Sequence, residues 1–105
     1  MAKAALKTPQ ATTNPVDDLC SALKSLRSEE EARNFLVDLC TPAEIRALSE
    51  RWLVARLLNE GDLSYREISQ ETGVCTTTIV RVARFLREEP HGGYRAILHR
   101  LSKKK

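Results

Sequence analysis

Three features of the sequence predict an all-α fold. No stretch alternates convincingly between apolar and polar residues with period two, so no strand is expected. Apolar residues recur instead at spacings of three and four, as in Leu19, Leu23 and Leu26, or Ile79, Val82 and Leu86. Helix start and stop signals punctuate these runs: Ser28, Thr41 and Ser64 precede them, and Gly61 and Gly73 close them.

Taken in order, residues 1–15 are rich in Thr, Ala, Lys and Pro without hydrophobic period and read as a disordered arm. Its Lys3 and Lys7 are candidate phosphate contacts. Residues 16–26 form a first helix on the Leu19, Leu23, Leu26 face. Ser28 then caps a second, 29–40, whose Glu29, Glu30 and Glu31 suit the positive end of the helix dipole. Thr41-Pro-Ala-Glu44 is a capping box with proline at the first helical position, and it opens a long helix over 42–59. That helix is apolar on several sides, through Ile45, Leu48, Trp52 and Ala55 and again through Leu53, Val54, Leu57 and Leu58. A helix apolar so far around needs several partners, and in a chain of 105 residues a second subunit is one of them. Ser64 and Glu67 form a further capping box. Gly73 supplies the positive φ of a tight turn, and a helix over 75–87 follows. After the Glu88–Gly93 break, a last helix over 94–101 carries Tyr94, Ile97, Leu98 and Leu101. Residues 102–105 are a basic tail, so that 16–101 make up the single domain.

Charge is unevenly spread. Residues 61–105 hold nine Lys/Arg against five Asp/Glu, whereas residues 1–40 hold five against six. The positive excess therefore lies where a polyanion would be met. Cys20, Cys40 and Cys75 are odd in number and form no C-x-x-C pair, which fits free thiols in a reducing cytoplasm rather than a disulfide framework or zinc site. Cys75, at the entry to the 75–87 helix, has no flanking feature that marks a redox sensor. His91 and His99 have no neighbouring metal ligands and read as surface residues. Residues 1–15 lack the apolar core of a signal peptide, and no run reaches the ~20 apolar residues of a bilayer span. No nucleophile–base spacing or paired carboxylates suggest an enzyme.

The segment 64–87 is a helix-turn-helix. Thr76, Thr77 and Thr78 lie at the end that enters a major groove, and Arg81, Arg84 and Arg87 follow at intervals of three. One of the threonines also serves to cap the helix, and Thr76 is the candidate. A cytoplasmic regulator that binds double-stranded DNA is the leading expectation. The alternative is a helical protein–protein or adaptor module that uses the same tri-helical motif without DNA.

Residues 39–86 resemble the tryptophan repressor family. The carrying segments are Leu39-Cys-Thr-Pro-Ala-Glu-Ile-Arg-Ala-Leu48, Arg51, the Leu-Leu-Asn-Glu-Gly turn ending at Gly61, Leu63-Ser-Tyr-Arg-Glu-Ile68, Gly73 and Thr77-Thr-Ile-Val-Arg81. The closing His91-Gly-Gly-Tyr94 is similar to the branch described as YerC/YecD. The resemblance implies a six-helix intertwined homodimer acting as a repressor on a palindromic operator of a biosynthetic operon. Its two recognition helices would lie roughly 34 Å apart. It points to Arg66, Thr76, Thr77 and Val80 as base readers, with Arg66 suited to guanine O6 and N7. Tyr65, Ser69, Thr78, Arg84 and Arg87 complete the expected DNA face. For a corepressor such as tryptophan it points to Thr41, Arg51 and Arg81. At the neighbouring positions, where the family has small residues, Val82 and Phe85 fill the space of an indole. These two positions are therefore expected to act as core, leaving no cofactor. Arg51 and Arg81 then have Glu44 and Glu50 as alternative partners.

Overall fold

A computed structural model of the chain describes residues 14–103. The expected arm up to residue 13, with Lys3 and Lys7, and the end of the tail at 104–105 lie outside the described residues. Six helices follow one another: α1 (Pro15–Lys24), α2 (Glu29–Leu39), α3 (Pro42–Glu60), α4 (Tyr65–Thr72), α5 (Thr76–Arg87) and α6 (Gly93–Lys103), with no strand among the described residues. The chain divides after Cys40 into two units.

In the first unit, α1 begins earlier than expected. Asn14 Oδ1 accepts from the Val16 N–H at 2.7 Å and Pro15 takes the first helical position, so these two residues belong to the helix and not to an arm. α1 stops at Lys24, short of Leu26. In α2, Ser28 Oγ accepts from Glu31 N while Glu31 reaches back to Arg27 N. Neither helix buries a residue, and Val16 and Val37 are more than 60% exposed.

In the second unit, both predicted capping boxes form. Thr41 Oγ1 accepts from Glu44 N at 3.1 Å and Glu44 Oε1 from Thr41 N at 2.8 Å. Ser64 and Glu67 repeat the pattern at the same distances. Gly61 and Gly73 terminate α3 and α4 at φ +79°. A Cβ at Gly73 would meet nothing within 4 Å. The preference for glycine there is thus a matter of backbone strain, about 1–2 kcal/mol, and not of space. The core is Val54, Ala55 and Leu58 of α3, Ile68 of α4, Val74 of the turn, Ile79, Val82, Ala83 and Leu86 of α5, and Leu98 of α6. The lower half of α3 thus finds its cover within its own chain. Leu48 and Leu53 remain exposed, so the many-sided apolar pattern is only half consumed here. α6 extends to Lys103, making Ser102 and Lys103 helical rather than tail.

Candidate nucleic-acid interface

The turn between α4 and α5 is tied down by side chains. Ser69 Oγ donates to Val74 O at 2.7 Å, Thr72 Oγ1 donates to Ile68 O, and Val74 N donates to Thr72 Oγ1 at 3.1 Å. Ser69, expected on the DNA face, is half-buried with its hydroxyl proton committed to this turn.

α5 presents an outward face free of acidic residues. Thr76, Thr77, Val80, Arg81, Arg84 and Arg87 are exposed, and Ile79, Val82, Ala83 and Leu86 point into the core. Val80 is 53% exposed, an apolar side chain held in water beside Thr77. Tyr65 and Arg66 stand exposed at the start of α4. Thr76 does not cap the helix: it is the first helical residue, and the capping position falls to Cys75, which makes no side-chain capping bond. The first-turn N–H groups of α5 thus lack the side-chain acceptor that α1 to α4 each have. Thr78 is half-buried and its Oγ1 lies 3.4 Å from Cys75 Sγ.

That contact has a titration consequence. The Thr78 hydroxyl, helped by its backbone N–H, stabilises the Cys75 thiolate and holds the thiol below the ordinary cysteine range. Iodoacetamide should therefore alkylate exposed Cys75 with a pH midpoint below that of a free cysteine, and Thr78→Val should raise that midpoint. Equal midpoints in the two proteins would remove the role assigned to Thr78.

Two of the α5 arginines make ion pairs or hydrogen bonds. Arg84 Nε pairs with Glu89 Oε2 at 2.9 Å, and Glu89 Oε1 also lies 3.7 Å from His91 Nε2. Arg87 donates to Leu58 O at 3.3 Å and to Tyr65 Oη at 3.5 Å. Arg84 still keeps a side chain 60% exposed. Neither Arg51 nor Arg81 forms the ion pair with Glu44 or Glu50 expected as an alternative; the ion pairs among the described residues are those of Glu89.

Beside this face, α3, α5 and α6 enclose an open cleft of about 590 Å³. Arg51, Arg81 and Phe85 line it, and Phe85, expected to act as core and fill this space, is instead half-buried on the cleft wall because its position on α5 lies off the Ile79–Val82–Leu86 face. Val82 does not line it: it is 1% exposed and packs in the core, because its place in the helical repeat is with Ile79 and Leu86. Thr41 does not line it either, its hydroxyl oxygen accepting from Glu44 N instead. Phe85 leaves the cleft open but occupies its wall in a layered arrangement. The Arg81 guanidinium carbon lies 4.3 Å from the ring centroid, and His91 stacks on the ring at 6.0 Å and 12°. Trp52 and Tyr94, stacked at 6.4 Å, supply further aromatic lining with Ile97 and Gly93. These last residues and His91 were not singled out as site residues from the sequence. Their sequence signals were the Trp52 stripe of the long helix, the His91-Gly-Gly-Tyr94 motif and the Tyr94-x-x-Ile97 spacing, none of which by itself marks a cleft. No group of three His, Cys, Asp or Glu among the described residues is placed to hold a metal, and no described helix is long and apolar enough to cross a membrane.

Comparison with known proteins agrees with this fold. A crystal structure of a TrpR-like protein from Eubacterium eligens ATCC 27750 is similar at a TM-score of 0.77 and 38% identity, covering 90% of this chain and 96% of that one. A protein of Staphylococcus aureus, solved as a proposed Trp repressor, gives 0.77 and 35%, covering 91% and 94%. The uncharacterized protein YerC of Bacillus subtilis (strain 168) is 46% identical over 71 residues, 68% of this chain and 67% of that protein. Residues 14–102 match the family described as Trp repressor protein. On that match, which spans most of its length, the chain belongs to the Trp repressor family.

Proposed function

We propose that the protein is a cytoplasmic, sequence-specific transcription regulator that binds a palindromic DNA operator as a homodimer and represses a biosynthetic operon. The observation that carries this reading is the outward face of α5. It joins exposed Thr77 and Val80 to Arg81 and Arg84 with no carboxylate in the helix, on a helix whose inner face is locked in the core. The family is one of transcription regulators, which favours DNA over a protein partner for this face. Arg66 and the threonines read base edges, Val80 meets a thymine methyl, and Arg84 contacts phosphate on exchanging its Glu89 partner for DNA.

The reading includes no corepressor. Phe85 already stacks under the Arg81 guanidinium, the kind of contact a bound aromatic ring would otherwise make. The unpartnered apolar residues of α1 and α2 support the homodimer.

Selection of bound duplexes from a random pool, with and without free amino acids, tests both parts. The expected result is a palindrome enriched equally in the two arms, with affinity falling steeply as salt rises. Enrichment only with one amino acid present would overturn the corepressor-free reading. No enrichment in either arm would overturn DNA binding and favour the adaptor alternative.

A further inference from the structure

We infer that Arg87 is a positioning residue that fixes the angle of the recognition helix, and not one of its phosphate contacts. The inference rests on the DNA-binding reading above.

Arg87 is the last residue of α5, about 16 Å along the axis from Thr76 at the helical rise per residue. Its guanidinium turns back toward the scaffold. Nη2 donates to Leu58 O at 3.3 Å, and Nη1 to Tyr65 Oη at 3.5 Å. Leu58 lies in the last turn of α3, where carbonyls have no partner within the helix and carry the negative end of its dipole. Tyr65 is the first residue of α4. One planar fork therefore joins three helices: the end of α3, the start of α4 and the end of α5.

A second guanidinium completes the arrangement. Arg95 of α6 donates to Leu86 O, a carbonyl in the last turn of α5. The end of the recognition helix is thus held through an outgoing cation from Arg87 and an incoming one from Arg95. A cleft of about 430 Å³ lined by Leu58, Asn59, Leu86 and both arginines lies between them. Leu86 and Leu58 hold this end of α5 in the apolar core, and the two guanidinium bonds add a directional polar tie beside that packing. The start of α5 is held separately, by buried Ile79 and by the Ser69 and Thr72 bonds across the turn. Thr77 and Val80 lie between these two anchorages, and hydrogen bonds to base edges are lost steeply as such residues swing away.

Lysine cannot replace this fork, because a single ammonium on a flexible stem does not span the carbonyl and the phenol in fixed geometry. A phosphate contact behaves in the opposite way: lysine substitutes well, and loss of the contact flattens the salt dependence by about 0.9 in log–log slope.

The experiment uses the full chain and a duplex selected by the wild-type protein. Binding is followed by fluorescence anisotropy over a series of KCl concentrations for wild type, Arg87→Ala, Arg87→Lys and Tyr65→Phe, and amide hydrogen exchange is followed on the DNA-free proteins. Both Arg87 variants are expected to lose about tenfold or more in affinity, with the wild-type salt slope and with faster exchange in the last turn of α5. Tyr65→Phe should lose less, and its effect should vanish in the Arg87→Ala background. A flatter slope in Arg87→Ala, with affinity restored in Arg87→Lys and exchange unchanged, would overturn the inference. Should Arg87→Ala not fold, the lysine and Tyr65→Phe variants decide the matter alone. If the wild type selects no duplex, the DNA reading fails by itself, and exchange alone still decides whether Arg87 holds the helix.

Discussion

Leu19→Glu/Leu23→Glu protein should scatter light as a monomer and lose about 100-fold or more in affinity for a duplex carrying two half-sites. α1 is amphipathic yet buries nothing, and Val16, Leu19 and Leu23 recur on one face at 64%, 38% and 44% exposure. Covering a leucine contributes about 1.5–3 kcal/mol. A two-fold interface would contain each substitution twice, and four carboxylates would have to be desolvated there. The DNA effect follows from linkage. Two joined readers bind the second half-site at a high effective concentration, worth about 10²–10⁴ in affinity, and monomers forfeit it. The variant should retain helical circular dichroism, because the core of residues 41–105 uses no residue of α1. Unchanged oligomeric mass in the variant would sink the proposed interface.

Ile79→Ala should lower stability by about 2–5 kcal/mol, read as a fall in the urea midpoint, and weaken binding to every DNA sequence alike. Ile79 is fully buried and is the first inward side chain of α5, among the same core residues as Ile68 and Val54. Its truncation leaves a cavity where the two helices of the motif meet, against a total stability of about 5–15 kcal/mol for a domain of this kind. Val80, its neighbour in sequence, provides the control. Being exposed, Val80→Ala should move stability by less than about 0.5 kcal/mol while reducing preference for thymine at one operator position. An unchanged urea midpoint for Ile79→Ala would mean that the helix is held by something other than this packing.

Helix boundaries set by local chemistry were legible in the sequence, and boundaries or sites set by tertiary assembly were less so. Thr41, Gly61, Ser64 and Gly73 announced the limits of α3 and α4 because a cap involves only residues within one turn of each other. Asn14-Pro15 carried the same kind of signal but was masked by the Thr- and Pro-rich composition preceding it. Val82 shows two lines of reasoning in conflict. Periodicity put it beside Ile79 and Leu86, while family resemblance also drew it toward the ligand position, and the helical phase prevails. The cleft itself was half visible. Arg51, Arg81 and Phe85 came from the resemblance, but His91 reaches Phe85 only because the Glu88–Gly92 connection folds back, and spacing within one element does not encode such a return. The Leu58–Arg87–Tyr65 bonds span 29 and 22 residues and had no sequence signature.

The capping boxes of α3 and α4 and the two left-handed glycines also bear on how such a protein changes over generations. The starts of these helices and their turns are specified by Thr41, Glu44, Gly61, Ser64, Glu67 and Gly73, none of which is among the buried hydrophobic core or on the outward face of α5. Substitutions at Thr77 or Val80 therefore leave the scaffold's punctuation intact. On the proposed DNA reading, a lineage can redirect such a protein to a new target sequence through a few surface replacements, without passing through a poorly folded ancestor.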